Sequence, residues 1–308
     1  MPYRKTVAVI GMGGIGGSIA ACLRLAGRHN VVACARRPMS ALTFEHKAGV
    51  NQLFIHTLTD PAEARPVDWV MLCTKAQDTE GAIPWLQRLC WAGTRVAILQ
   101  NGIGQADRVA PLIGKADAIP TIVHFSGERT APDRVRFRHT QEYDITVKDD
   151  PSGMAFLDVF DGTFLKLRAS ADFKTLQWRK LLLNAAANPI TALTRQRLGV
   201  LHRDDVRDLT MLVLEEGAAV ARADGARFED DEPASILKNL LNYPVDVTTS
   251  MHFDTLAGRP LEVEALTGAI VEAGRRHGVP TPVNLAIYAL LSAISDAAGA
   301  EKMLVAAQ

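Results

Sequence analysis

The sequence predicts an α/β chain, with an N-terminal Rossmann-type doubly wound sheet followed by an all-helical C-terminal domain. Three observations carry this prediction. Short β-branched runs alternate with helical stretches through the first half. The first run ends in G-x-G-x-x-G and passes directly into a helical pattern. From about Asp172 the apolar period becomes helical and strand signals vanish. A length of 308 residues suits two domains, placed here at 1–171 and 172–308.

The glycine motif occupies Gly11, Met12, Gly13, Gly14, Ile15 and Gly16, after the apolar run Val7-Ala8-Val9-Ile10. Gly11 permits a tight turn off the strand. Gly13 lets backbone approach a phosphate, and Gly16 lets the helix pack close on the strand. The free N–H groups and positive dipole end of the helix then suit a dinucleotide's pyrophosphate. A second strand, residues 31–35, arrives where a βαβ unit needs it. An acid at its end would favour NAD, and an arginine favours NADP. Here the chain reads Arg36-Arg37-Pro38, with no acid nearby. NADP is therefore the expected cofactor, with Arg36 on the 2′-phosphate; the plain alternative is a solvated basic pair.

Further buried strands are expected at residues 68–73, 94–99 and 119–125. Residues 134–139 and 143–147 flank a polar turn and read as a hairpin. Strands alternating with helices place a ligand crevice at the strands' C-terminal ends. In the second half, helices are expected over 176–199, 204–224, 261–277 and 283–297, with Gly225 and Gly278 as closing residues.

Composition narrows the function classes. Hydrophobic residues make up 48% of the chain, enough for large cores. The 34 basic and 34 acidic residues cancel, so no field attracting nucleic acid or anionic membrane is expected. No apolar run is read as approaching the roughly 18 residues of a membrane span. Strand one follows closely on Met1, so no signal peptide is expected. Cys22, Cys34, Cys73 and Cys90 form no C-x-x-C pair, and neither a metal site nor a disulfide framework is indicated. A reducing, cytoplasmic setting fits these features. Nothing in the sequence chooses between a monomer and a homodimer.

The chemistry points to the second half. Lys180, Asn184 and Asn188 recur every four residues among leucine and alanine, about 40° apart per step on one helix face. Pro189 removes a backbone bond beside them. A lysine with two amides suits a 2-oxo acid. The lysine can hold the carbonyl oxygen and donate a proton as hydride arrives, while the amides orient carboxylate or hydroxyl groups. The spacing alone equally allows a polar seam between helices.

With these motifs in order, the chain resembles the ketopantoate reductase family (2-dehydropantoate 2-reductase) nearly end to end. The resemblance implies a Rossmann domain joined to a helical domain, NADPH-dependent reduction of a 2-oxo acid, and a place in pantothenate biosynthesis. It implies a 2′-phosphate contact at Arg36, a cofactor contact at Lys75 in Cys73-Thr74-Lys75-Ala76, and a cofactor and substrate contact at Asn101 in the Q-N-G segment. It makes Lys180 the general acid, with Asn184 and Asn188 on the substrate. The family's S-M-x-x-D…E block falls on Ser250-Met251-His252-Phe253-Asp254 and Glu262, twelve residues after Ser250. Ser250 would then contact substrate, and Glu262 would lie near the nicotinamide and the lysine. Each residue has a plainer reading: Lys75 as a strand-end charge, Asn101 as a turn former, Ser250 as a helix cap, Glu262 as a first-turn helix acid.

Two segments depart from the family pattern. Phe125-Ser126 replaces a small alanine-rich pair near the cofactor, where Ser126 is the expected contact, and His252-Phe253 is unusually bulky. These differences leave room for another, bulkier 2-oxo acid, as in relatives that are NAD-dependent D-2-hydroxy acid dehydrogenases. A β-hydroxyacid dehydrogenase also pairs these domains and uses a lysine, but lacks the S-M-x-x-D…E block. A non-catalytic NADP sensor would need the glycine loop and no proton donor. Roles for Glu216, Asp254, His124 and His252 stay unassigned.

Overall fold

The computed structural model describes residues 4–306; residues 1–3 and 307–308, inside the two predicted domains, lie outside the described set. The chain divides after Phe173 into two compact units.

The first unit begins with β1 (Thr6–Ile10), α1 (Gly14–Ala26) and β2 (Asn30–Cys34), followed by β3 (Leu42–His46), β4 (Gly49–Leu53) and β5 (His56–Leu58). Next come β6 (Trp69–Leu72), α2 (Ile83–Leu89), β7 (Arg95–Ile98), α3 (Gln105–Val109) and β8 (Asp117–Val123). It ends with β9 (Ser126–Ala131), β10 (Arg134–Arg138), β11 (Ile145–Lys148), α4 (Pro151–Val159) and β12 (Leu167–Ser170). One sheet has the order β12-β11-β8-β7-β6-β1-β2-β5, and a second has the order β4-β3-β10-β9. From β8 to β5 every neighbouring pair is parallel, as the apolar runs of a doubly wound sheet require.

Helix α1 is the wedge between the two sheets. Its buried residues, Ile19 and Leu23 among them, join Val7 and Val9 of the first sheet and Phe44 and Phe137 of the second in one core. A side chain at Gly17 would stand 2.7 Å from Val135 Cγ1, so the helix lies almost against β10. The expected hairpin of 134–139 with 143–147 does not form. Strand β10 instead pairs with β9 and β3, whereas β11 joins β8 and β12 in the other sheet. The apolar alternation at Val135 and Phe137 is satisfied in the core that α1 shares with the second sheet.

The second unit contains α5 (Phe173–Thr194), α6 (Asp204–Ala223), α7 (Glu232–Leu241), α8 (Ser250–Leu256), α9 (Ala269–His277) and α10 (Pro282–Ala306). Helix α5 stops five residues before the expected end at 199, because Arg195 adopts a left-handed φ of 53°. The helix expected over 261–277 opens with a π turn, Glu264–Gly268, before α9 begins. Residues 282–300 of α10 are long and apolar enough to cross a membrane by length and composition, which corrects the sequence reading; 17% of that window is buried. Its inward residues Asn284, Ile287 and Leu291 are buried in this unit.

Two carboxylates tie the helices together. Asp224, at the end of α6, accepts from Trp178 Nε1 at 2.9 Å, pairs with Lys174 Nζ at 3.1 Å, and lies 2.9 Å from His277 Nε2 of α9. Glu216 of α6 accepts from the backbone N–H groups of Val283 and Asn284, each at 2.9 Å, and from Asn284 Nδ2 at 2.8 Å. It caps the N-terminus of α10 from outside, where the first-turn N–H groups have no partner within their own helix. Replacing Glu216 by Ala removes that cap and half the partners of a fully buried amide. The expected cost is about 1–3 kcal/mol, read as a fall in denaturation midpoint, with Glu216→Gln costing less.

Candidate active site

The parallel register gathers the first set of candidate residues at one sheet edge. Ile10 pairs with Cys34 and with Leu72, and Leu72 pairs with Ile98. The chain therefore leaves β1, β2, β6 and β7 side by side. Gly11–Gly16, Arg36, Lys75 and Asn101 all lie just beyond those ends. Arg36 is exposed, while Lys75 and Asn101 are half-buried.

The glycine loop has distinct demands at each position. Gly11 has φ +92°, and a side chain there would meet the backbone of Cys73 and Thr74. A side chain at Gly16 would overlap the Gly11 carbonyl. At Gly14 it would overlap the Gly127 carbonyl, and at Gly127 the Gly14 carbonyl, so α1 starts in backbone contact with β9. Gly13 differs, since a Cβ there meets nothing within 4 Å. Gly13 is the N-cap of α1, no side chain caps the helix, and no acid stands in its first turn. The result is open space over an uncapped, positive helix end, which fits a pyrophosphate.

The loops after β6 and β7 are fastened by a residue that sequence reasoning passed over. Gln100 is buried and its Nε2 donates to Thr74 Oγ1 and Thr79 Oγ1, each at 3.0 Å. Gln105 Nε2 donates to the Gln100 carbonyl at 2.7 Å. Gln100 thus holds the neighbours of Lys75 and Asn101 together, and the turn after it uses Gly102 (φ 97°) and Gly104 (φ 66°). Gly127 was missed as well, because its need arises only from the approach of α1. Ser126 opens β9 beside it. Phe125 is buried against Phe137 with ring centroids 5.0 Å apart, so its bulk fills core.

In the second unit, α5 carries Lys180, Asn184 and Asn188. Asn188 is 6% exposed and Asn184 half-buried, and among the described residues neither side-chain amide has a hydrogen-bond partner. Burial pushes the Lys180 ammonium down to about 8. Close packing surrounds this stretch, since a side chain at Gly217 of α6 would collide with Leu182. Arg179, one position before Lys180, donates to Glu232 of α7 at 2.8 Å.

Ser250 is the first residue of α8 and is exposed. The cap of α8 is Thr249, whose hydroxyl accepts from His252 N, so the capping role expected as an alternative for Ser250 is taken by its neighbour. Thr249 Oγ1 also lies 2.7 Å from Thr191 Oγ1 of α5, which brings Ser250 to the C-terminal half of the Asn184 and Asn188 helix. Glu262 is 8% exposed and sits ahead of the π turn, outside any helical first turn. A π turn is rare and recurs at functional sites. The other polar residues are absorbed by structure. His124 Nε2 bonds Thr146 at 3.1 Å, His252 Nδ1 bonds Thr248 at 2.6 Å, and Asp254 accepts from Arg259 at 2.8 Å.

Comparison with known proteins decides the family. Residues 7–150 match the family described as ketopantoate reductase PanE/ApbA, and residues 172–295 match its C-terminal counterpart. The chain belongs to the ketopantoate reductase family. It is 37% identical to the 2-dehydropantoate 2-reductase of Caulobacter vibrioides over 94% of this chain and 98% of that one. It is 36% identical to the 2-dehydropantoate 2-reductase of Mycobacterium tuberculosis, over 95% of this chain and 99% of that one. The crystal structure of a ketopantoate reductase from Ralstonia eutropha JMP134 matches with a TM-score of 0.86 at 28% identity, covering 96% and 99% of the two chains.

Ketopantoate reductases are pyridine-nucleotide-dependent oxidoreductases, and the glycine loop supplies the fit for such a group. Gly13→Ala tests it. The backbone there (φ −78°, ψ −162°) accommodates alanine, and the new methyl enters empty space. The stability change should stay within about 0.5 kcal/mol, whereas dinucleotide affinity, measured by fluorescence titration, should fall at least roughly tenfold, about 1.4 kcal/mol.

Proposed function

We propose that this chain reduces 2-dehydropantoate to pantoate with NADPH in a pantothenate-forming sequence, with Lys180 as the proton donor. The observation that carries this reading is the α5 face: a lysine whose pKa is lowered to about 8, on the same helix face as two side-chain amides with no hydrogen-bond partner among the described residues. An ammonium tuned close to neutral is still protonated at pH 7 and gives up its proton readily, which is what a general acid requires.

When bound, NADPH would supply the hydride that the 2-oxo carbon accepts, being oxidised to NADP+. The Lys180 ammonium donates a hydrogen bond to the 2-oxo oxygen and transfers its proton as negative charge develops there. The product is the 2-hydroxy acid, and the neutral amine is reprotonated from solvent. Asn184, Asn188, Ser250 and Asn101 are assigned to the substrate's carboxylate and hydroxyl groups. The Glu262 carboxylate is assigned to the nicotinamide side and to the Lys180 ammonium, whose protonated form it would then favour. Gly11–Gly16, Lys75, Asn101 and Ser126 are assigned to the dinucleotide, with Arg36 on its 2′-phosphate. A cytoplasmic setting accompanies this reading. Assembly as a homodimer is left to direct measurement by light scattering.

The test is oxidation of NADPH and NADH in the presence of 2-dehydropantoate, phenylpyruvate, 2-oxoisovalerate and oxaloacetate. Turnover of 2-dehydropantoate with NADPH is expected, and failure with all four acids would sink the enzyme reading. Preference for phenylpyruvate would move the substrate to the bulkier class. Lys180→Ala should lower kcat by about 10²–10⁴-fold. Because the reduction uses the ammonium, kcat should be level below the Lys180 pKa and fall as pH rises through about 8. Glu262→Gln should move that fall to lower pH.

Arg36→Ala probes the cofactor separately. A lost charge-assisted contact of about 1.5–3 kcal/mol should weaken NADPH binding by about tenfold or more. NADH binding should stay as it was, and equal weakening of both would remove Arg36 as the phosphate contact.

A further inference from the structure

We infer that the hydroxyls of Thr191 and Thr249 form a positioning pair that holds Ser250 against the polar face of α5, an inference that rests on the substrate site proposed above. Thr191 lies eleven residues after Lys180, which on an ideal helix places it only about 20° around from that lysine. It is fully buried, although it shares the face that carries Lys180, Asn184 and Asn188. Its Oγ1 lies 2.9 Å from the Ala187 carbonyl and 2.7 Å from Thr249 Oγ1.

The hydrogen-bond inventory favours one direction for this chain. Each hydroxyl has one proton. Thr249 Oγ1 accepts from the His252 N–H at 3.2 Å, and Thr191 Oγ1 is its remaining partner. The Thr249 proton therefore points to Thr191, and the Thr191 proton points to the Ala187 carbonyl. Every group is satisfied in this order, from the α8 backbone to the α5 backbone. In the opposite order the Thr249 proton would find no acceptor among the described residues.

The chain before α8 is docked on the short turn, Leu198–His202, that follows α5. Leu198 N donates to the Val247 carbonyl and Gly199 N to the Val245 carbonyl, each at 2.9 Å. These two bonds fix the approach of the segment, and the threonine pair fixes its last step. Ser250 follows Thr249 directly, is exposed, and has no hydrogen-bond partner among the described residues. Its hydroxyl is available to a ligand only at the place that Thr249 assigns to it. Thr191 thus touches no substrate and acts through Ser250.

Thr191→Val tests this while preserving shape, and it leaves the Thr249 cap on His252 intact. The expected result is a roughly tenfold rise in KM for 2-dehydropantoate, with kcat changed less than twofold and NADPH affinity unchanged. Thr191→Ser restores the hydroxyl and should restore KM. In a Ser250→Ala background the same Thr191→Val change should add almost nothing, because its route to the substrate is gone. An unchanged KM in Thr191→Val, or an equal rise with and without Ser250, overturns the inference. If the wild-type protein turns over no 2-oxo acid, the proposed function fails on its own. Amide hydrogen exchange then decides the pair: Thr191→Val should speed exchange at residues 250–253, and unaltered exchange there overturns it.

Discussion

The first unit depends on how closely one helix can approach two sheets at once. Helix α1 touches the β1–β6 edge through Gly11 and Gly16, and touches β9 through Gly14 and Gly127. Each contact is backbone against backbone, so no side chain can be added without moving an element. The helix is held there by the apolar residues it buries on both sides. Close packing then leaves its N-terminal N–H groups pointing into space that Gly13 keeps clear. An open, positive helix end arises from the packing itself, with no charged side chain in the loop.

The second unit solves a different problem. A helix with a lysine and two amides on an inward face needs neighbours that do not satisfy those groups. Helix α6 comes close enough at Gly217 to exclude water from the leucine side of α5. The polar side is bordered by the segment that Thr191 and Thr249 fasten. The lysine pays for its burial with a lowered pKa, and that lowered value suits it to proton transfer.

What could be read from the sequence follows the range of each signal. The glycine loop, the strand runs and the period-four recurrence on α5 are local patterns, and each appears in the structure where the pattern put it. The second sheet was not legible, because β10 finds β3 about ninety residues away and its alternation suits a hairpin equally well. Gly127 looks like any turn glycine until α1 lies across it. Gln100 looks like a polar loop residue until Thr74 and Thr79 converge on it. Thr191 was visible in principle, since its spacing from Lys180 continues the polar face; its partner Thr249, 58 residues on, was not. The π turn after Glu262 also escaped, because its apolar period differs little from that of the α-helix that continues it.

Asp224 carries a consequence for how the protein meets acid. Its burial raises the cost of ionisation, but the bonds from Trp178, His277 and Lys174 outweigh that cost and hold the carboxyl below its ordinary range. The stabilisation is complete above the unfolded carboxyl's pKa and is lost as pH falls through the depressed folded value. Asp224 closes α6 and its partners lie on the first half of α5 and at the end of α9, so protonation loosens the frame around the helix that bears Lys180. Acidity would thus erode the scaffold, whereas alkalinity strips a proton from a single amine. With Lys180 as the proposed proton donor, a bell-shaped activity profile would have one flank made of unfolding and the other of chemistry, and only the alkaline flank would report on a reacting group.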